Sequence, residues 1–221
     1  MQFFFVLVVI LVVAGIIYAF SIGARRRKEL FTWASSRGLA FTSDKDHSFD
    51  DRFADFSCLK EGSDRYAYNI MQGDWHGHEI TAFDYHYETR SGEDTTDHYF
   101  SAVILRGPIP LKPLYIRREG FFDKVTEFFG FDDIDFESAE FSRRFYVKSP
   151  DKKWAYDVIH QRMMEYLLSA PEFSVQFDAS HVIAWRPSRF SPAEFEAAAG
   201  FIRGIFERLP EYLVKKQKGE T

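Results

Sequence analysis

The spacing of hydrophobic positions changes repeatedly along the chain, and each change marks an expected element. Positions 3–22 carry no charged residue, and fifteen of them are Phe, Leu, Ile or Val. At about 1.5 Å of rise per residue this run spans roughly 30 Å, the thickness of a bilayer's hydrocarbon core. Its fifteen strong apolar residues favour insertion by roughly −5 to −9 kcal/mol in total. Residues 1–24 are therefore expected to form a transmembrane anchor, held in the lipid bilayer through 3–22. The run lacks a basic segment before it, exceeds a signal-peptide core, and meets three arginines at once, which favours a retained signal-anchor over a cleaved leader. Beyond it, Leu30, Trp33 and Ala34 keep helical spacing and Gly38 is a natural stop, giving a juxtamembrane basic helix over 25–38.

After a short strand at 39–42 and a polar loop at 43–65, the period shortens to two. Tyr66, Tyr68 and Ile70 alternate with Ala67, Asn69 and Met71, and strands at 78–88 and 95–105 follow across turns at His76-Gly77 and at 90–94. This is an antiparallel meander, to which 113–118 adds an edge-like strand. A short helix at 121–129 and a strand at 144–148 come next. Ser149-Pro150 then reads as the cap and first residue of a single helix bearing Ala155, Val158, Ile159, Met163, Tyr166 and Leu167. A hairpin is expected at 173–177 and 182–186. Ser191-Pro192-Ala193-Glu194 is a capping box opening a helix with Phe195, Ala198, Ile202, Ile205, Phe206 and Leu209 on its buried face, and Pro210 kinks or ends it. The expected class is α+β: an N-terminal transmembrane helix, then a largely antiparallel sheet, meander plus late hairpin, covered by helices on one face. Residues 39–214 form this domain, and 215–221 a frayed basic tail.

Charge gives the anchor a direction. Every charged residue lies after position 24, and Arg25, Arg26, Arg27 and Lys28 stand together at the membrane exit. Without those four, 24 Lys and Arg face 33 Asp and Glu. An acidic domain on a basic collar does not suit nucleic acid, which needs a basic face. The collar suits anionic lipid headgroups, at about 1 kcal/mol per cation near the surface. By the positive-inside rule the expectation is a single-pass protein of the cell membrane, with a very short N-terminus outside and the domain cytoplasmic. The single cysteine, Cys58, has no partner for an internal disulfide, and Phe56 and Leu59 beside it indicate a buried, inert thiol. The 25 phenylalanines imply an aromatic-rich core.

Candidate chemistry is sparse. His76, His78, Asp84, His86 and His98 hold the strongest case, with His76, His78, Asp84 and His98 as metal-ligand candidates, since imidazoles two apart on a strand can share a side. The intervening Gly77 turn and the length of the strand work against their convergence, and solvated hairpin residues are the plainer reading. Asp132, Asp133, Asp135 and Glu137 resemble an oxygen-ligand loop but lack the glycine and final glutamate of an EF-hand. Glu172, Asp178 and His181 flank the late hairpin, where such residues are common. No phosphate loop, dinucleotide fingerprint, nucleophile elbow or H-E-x-x-H motif is present. No catalytic residue and no cofactor is expected.

The stretches Tyr68-Asn69-Ile70-Met71-Gln72-Gly73-Asp74-Trp75-His76-Gly77 and Phe83-Asp84-Tyr85-His86-Tyr87, with Ala184-Trp185-Arg186-Pro187, resemble a group of uncharacterised bacterial proteins. Segments 133–137 and 140–145 share in the likeness. The resemblance implies one N-terminal membrane span, a cytosolic α+β domain and no assigned activity or catalytic residues. Phe83, Tyr85 and Tyr87 are expected to stack under a covering helix, and Asp84, on the opposite face, to accept hydrogen bonds from a turn or an arginine. The leading expectation is a membrane-anchored binding, adaptor or sensor module with an unknown protein partner. The alternatives are a membrane-tethered metal-dependent hydrolase using His76, His78, Asp84 and His98, and a structural subunit of a membrane complex.

Overall fold

The computed structural model describes residues 2–119 and 133–219, excluding the side chains of 2, 3, 5, 8, 9, 12–20 and 218. In chain order the described elements are α1 (Gln2–Ser36), β1 (Ala40–Thr42), α2 (Phe49–Arg52), a 3-10 turn (Ser57–Leu59), β2 (Ser63–Trp75), β3 (His78–Ser91), β4 (Asp94–Arg106) and β5 (Leu114–Arg118). The second half comprises α3 (Ala139–Arg144), β6 (Phe145–Lys148), α4 (Lys152–Val158), α5 (Gln161–Ser169), β7 (Ser174–Phe177), β8 (His181–Arg186), α6 (Pro192–Phe206) and α7 (Glu211–Lys218). Most of the apolar run at 3–22, on which the anchor expectation rests, lies outside the described side chains. Among the described residues, no helix is long and apolar enough to cross a membrane. The helix expected at 121–129 also lies outside them.

The eight strands form one sheet in the order β1-β2-β3-β4-β8-β7-β5-β6, and every pairing is antiparallel. The meander and the late hairpin are both present, joined where β4 pairs with β8. The strand expected as an edge after the meander is instead interior: β5 sits between β7 and β6. Local pattern carried no information on that placement, because β5's partners come from segments far downstream.

Two cores fill the two faces of this sheet. On one, α1, α4, α5 and α6 cover Met71, Ile80, Ala82, Val103, Leu105, Val175 and Val182. On the other, Phe49, Phe56, Cys58 and Leu59 cover Ala67, Ile70, Phe83, Tyr85, Ala102 and Ile183. The expected polar loop at 43–65 is therefore a lid, and the sheet is covered on both faces, not one. Gln176 ties the lid down: its side-chain oxygen accepts from the backbone N–H and hydroxyl of Ser57, and its amide donates to the Asp55 carbonyl. Phe83 and Tyr85 pack against Phe49 of the short α2, and Tyr85 donates its hydroxyl to the Leu59 carbonyl. The covering helix expected over them is thus the single turn of α2.

Strand β2 departs from simple alternation. Its register with β3 shifts between Ser63 and Tyr66 and again between Tyr68 and Met71. Asn69 sits at the second shift with φ of 49°, so Ala67 and Ile70, three apart, point into the same core while Met71 points into the other. A bulge reverses which face the following residues occupy, which a period-two reading does not register.

The helix expected behind Ser149-Pro150 is two helices. Asp151 is the N-cap of α4, accepting from the Trp154 N–H, and the chain breaks at Ile159-His160 before α5. The capping box at Ser191 is present as expected, with Pro192 in the first turn of α6. Pro210 begins α7, which carries Lys215 and Lys216 in helix where a frayed tail was expected.

Gly62 enters β2 with φ of 60°, and a Cβ there would overlap the carbonyl oxygen of Glu88 on β3. Gly62→Ala is expected to destabilise the domain by about 1–3 kcal/mol, from the left-handed backbone and the overlap together. Chemical denaturation of the two proteins side by side checks this; an unchanged midpoint would contradict the packing described.

Candidate functional site

The central polar node of the structure joins α1 to the sheet. Asp84 lies on β3 with parity opposite to Phe83 and Tyr85, so its carboxylate points to the α1 side, fully buried. Arg26 meets it from the second turn after the apolar run: Nη2 lies 2.6 Å from Oδ1 and Nε 2.8 Å from Oδ2. This is the bidentate geometry that suits a guanidinium and a carboxylate. Asn69, turned by the bulge, donates to Oδ2 at 2.9 Å, and Ser101 on β4 donates to Oδ1 at 2.6 Å. Ser101 in turn accepts from the Phe190 N–H at 2.9 Å, which fixes the loop leading into α6. Four segments thus meet at one carboxylate, and the loop at Phe190 joins them through Ser101. The hydrogen-bonding partner expected for Asp84 is an arginine, supplied by the collar itself.

Burial works against the charged Arg26 guanidinium, but its hydrogen bonds and Coulombic attraction to Asp84 outweigh this and hold its pKa above the usual arginine value. The neighbouring Tyr68 hydroxyl is buried without a hydrogen-bond partner among the described residues. Its burial, reinforced by the negative charge of Asp84, pushes the phenol above its ordinary range. The node is a charge pair with its carboxylate fully buried and its guanidinium partly so.

The collar residues consequently separate. Arg25, Arg27 and Lys28 are exposed, whereas Arg26 is directed to the sheet. Of the four cations expected to meet headgroups, three are exposed and Arg26 is not. Arg25 and Lys28 line a groove of about 520 Å³ beside Trp33 and Pro192. Farther along α1, Leu30, Trp33 and Ala34 enter the helix-side core, and Arg37 pairs with Glu196 of α6.

The histidine candidates scatter. His76 occupies the β2–β3 turn with φ of 53°, and His78 packs against Phe206 at 5.3 Å. His98 stacks on Tyr87 and lies 2.7 Å from the Thr89 hydroxyl. Asp84 is occupied by Arg26, Asn69 and Ser101. The four candidates are not brought together, and the hydrolase reading has no common centre in them. Among the described residues, one group of metal-ligating side chains does converge: Asp64, His86 and Glu88, with ligand atoms mutually within 4.8 Å. Sequence spacing gave no sign of it, since Asp64 joins only through the bulge at the start of β2.

Three of the remaining acidic candidates have structural partners, Glu172 pairing with Arg118. Asp133 accepts from the Ile134 and Val147 N–H groups and pins β6; Asp132 lies outside the described residues. Asp178 accepts from the N–H groups of Ser180 and His181 at the hairpin turn. Burial raises its pKa, but the His181 side chain and those N–H groups outweigh this and leave it below the usual carboxylate value. Cys58 is buried and forms no disulfide.

Neither a protein-family model nor a curated protein matches the chain. A solved structure does: the mycobacterial trehalose monomycolate transport factor A, TtfA, superposes with a TM-score of 0.59 at 17% identity. The match covers 84% of this chain and 95% of that one. At such identity the likeness is one of fold.

Removing one partner of a buried ion pair strands the other charge, at about 3–5 kcal/mol. Arg26→Ala is therefore expected to destabilise the domain by about 3 kcal/mol, with Arg26→Lys less damaging because it keeps the charge opposite Asp84, although one ammonium cannot reproduce both contacts. Unfolding midpoints in denaturant test this ranking. Equal stability of Arg26→Ala and the parent would show that the pair does not hold α1 to the sheet.

Proposed function

We propose that this chain is a bacterial, single-pass membrane protein, anchored by residues 3–22, whose cytoplasmic domain is an adaptor presented to a protein partner at the bilayer surface. The observation that carries this reading is the Arg26–Asp84 pair. It lies four residues beyond the apolar run and ties the same helix to the middle of the sheet. A helix secured so close to its membrane exit cannot act as a loose tether; it sets the orientation of the sheet relative to the bilayer. Fixed orientation is useful where a domain must meet a membrane-embedded partner, and adds little to an enzyme acting on a soluble substrate.

Two further features support the reading. The exposed Arg25, Arg27 and Lys28 give the exit a basic face for anionic headgroups. The fold is shared with a protein described as a trehalose monomycolate transport factor, and an accessory role beside a membrane transporter is the specific form of adaptor we favour.

The experiment is in-cell photocrosslinking from the domain surface, with membrane fractionation. The full chain is expected to remain in the membrane after carbonate extraction and to crosslink reproducibly to a membrane protein. A chain lacking residues 1–24 is expected in the soluble fraction with that crosslink lost. Extraction of the full chain by carbonate would overturn the anchor. Retention with no reproducible crosslink would overturn the adaptor role.

A further inference from the structure

The β2–β3 pair begins with an irregularity that simple pairing does not require. Ser63 pairs with Glu88 and Tyr66 with His86, so three steps on β2 face two on β3. The surplus is taken up at Asp64, which has φ of 46°, a conformation unusual for a residue with a side chain. The result brings the Asp64 carboxylate to the side of β3 that carries His86 and Glu88, two positions apart on one face.

His86 is 2% exposed, with its ring held between those of Tyr66 and Tyr99 at centroid distances of 4.5 and 4.8 Å. Nε2 lies 2.7 Å from Oδ1 of Asp97, so its N–H is spent on that carboxylate. Nδ1 then faces oxygen on every recorded contact: the Asp64 carbonyl at 3.0 Å and the Asp64 carboxylate at 4.0 Å. A neutral imidazole offers one donor and one acceptor, so its remaining lone pair is set against acceptors only. A positive centre is required between them.

The charge surrounding the ring indicates what kind. Asp64, Glu88 and Asp97 bring three carboxylates to one imidazole, and among the described residues none of them is ion-paired with a lysine or arginine. A single proton on Nδ1 would offset one of these charges, and a divalent ion two. The Asp97–His86 contact is also the arrangement in which a carboxylate orients a metal-binding histidine through its far nitrogen.

We propose that Asp64, His86 and Glu88 form a binding site for a divalent transition-metal cation of the zinc class. Nδ1 of His86 and one oxygen from each carboxylate are its ligands, and Asp97 positions the ring. Imidazole plus carboxylate is a donor set such ions accept. The ion clamps the bulged start of β2 onto β3, next to the entry at Gly62. Asp64 and Asp97 are more than half exposed, which gives the ion a path from solvent.

The test is calorimetric titration of the untagged full-length protein in detergent, stripped with chelator and then supplied with zinc chloride, with thermal unfolding followed in parallel. One saturable equivalent and a raised melting temperature are expected. Asp64→Asn and Glu88→Gln, each at an exposed or half-exposed position, are expected to weaken binding at least roughly tenfold and Asp97→Asn by about 10–100-fold, by the usual cost of losing such a contact. His76→Gln and His98→Gln are expected to bind as the parent does. Absence of a saturable equivalent in the parent would overturn the site. So would parental affinity in both Asp64→Asn and Glu88→Gln, and so would loss of binding in His76→Gln or His98→Gln.

Discussion

A buried carboxylate on a central strand is an unfavourable thing to build, and in this protein the rest of the architecture is arranged around making it tolerable. Asp84 has no exposure to water, so every lone pair it turns inward must find a donor. Arg26 supplies two, Asn69 one and Ser101 one. Each donor constrains something larger: Arg26 the lie of α1, Asn69 the bulge in β2, and Ser101 the loop that leads to α6. A hydrophobic residue at position 84 could pack there, but it could not specify which turn of α1 meets the sheet. The ion pair adds that specificity, and it is this registration between the helix leaving the apolar run and the domain that the proposed adaptor role depends on.

The two bulges of β2 have complementary consequences. The one at Asn69 turns a side chain toward Asp84 and moves Ile70 into the lid-side core. The one at Asp64 gathers acidic groups around His86 at the other end of the pair. Both use a non-glycine residue at positive φ, a conformation that costs energy and persists where surrounding contacts over-determine it. Between them the strand is regular. Irregular backbone in this sheet is thus concentrated at its two polar clusters, while the apolar stretches keep ordinary pleating.

The lid over the second face shows one physical use of the chain's phenylalanines. Segment 43–62 has little regular structure, so it can shield a whole sheet face only by inserting large rings: Phe49 against Phe83 and Tyr85, with Phe53 and Phe56 beside it. Its backbone, lacking helical partners, is satisfied by side chains from the sheet, chiefly Gln176. Sequence polarity concealed this, because the acidic residues between the rings lower the mean hydropathy of a segment in which Phe49, Phe56 and Leu59 are fully buried.

Much of the architecture was legible from residue pattern. Alternation located the three long meander strands, and Ser191 to Glu194 identified the start of α6. Those features depend on near neighbours, and propensity, capping and periodicity act over a few residues. What the folded structure alone decided involves partners far apart in the chain: β5 in the interior of the sheet, the lid held by Gln176, and Asp64 meeting His86 across a bulge. The collar at 25–28 shows the division most clearly. Composition marks four equivalent cations after the apolar run, yet helix geometry turns one of them toward a carboxylate 58 residues away. Which cation stays exposed and which faces protein is set by the rotation of α1 against the sheet, and only tertiary packing determines that angle.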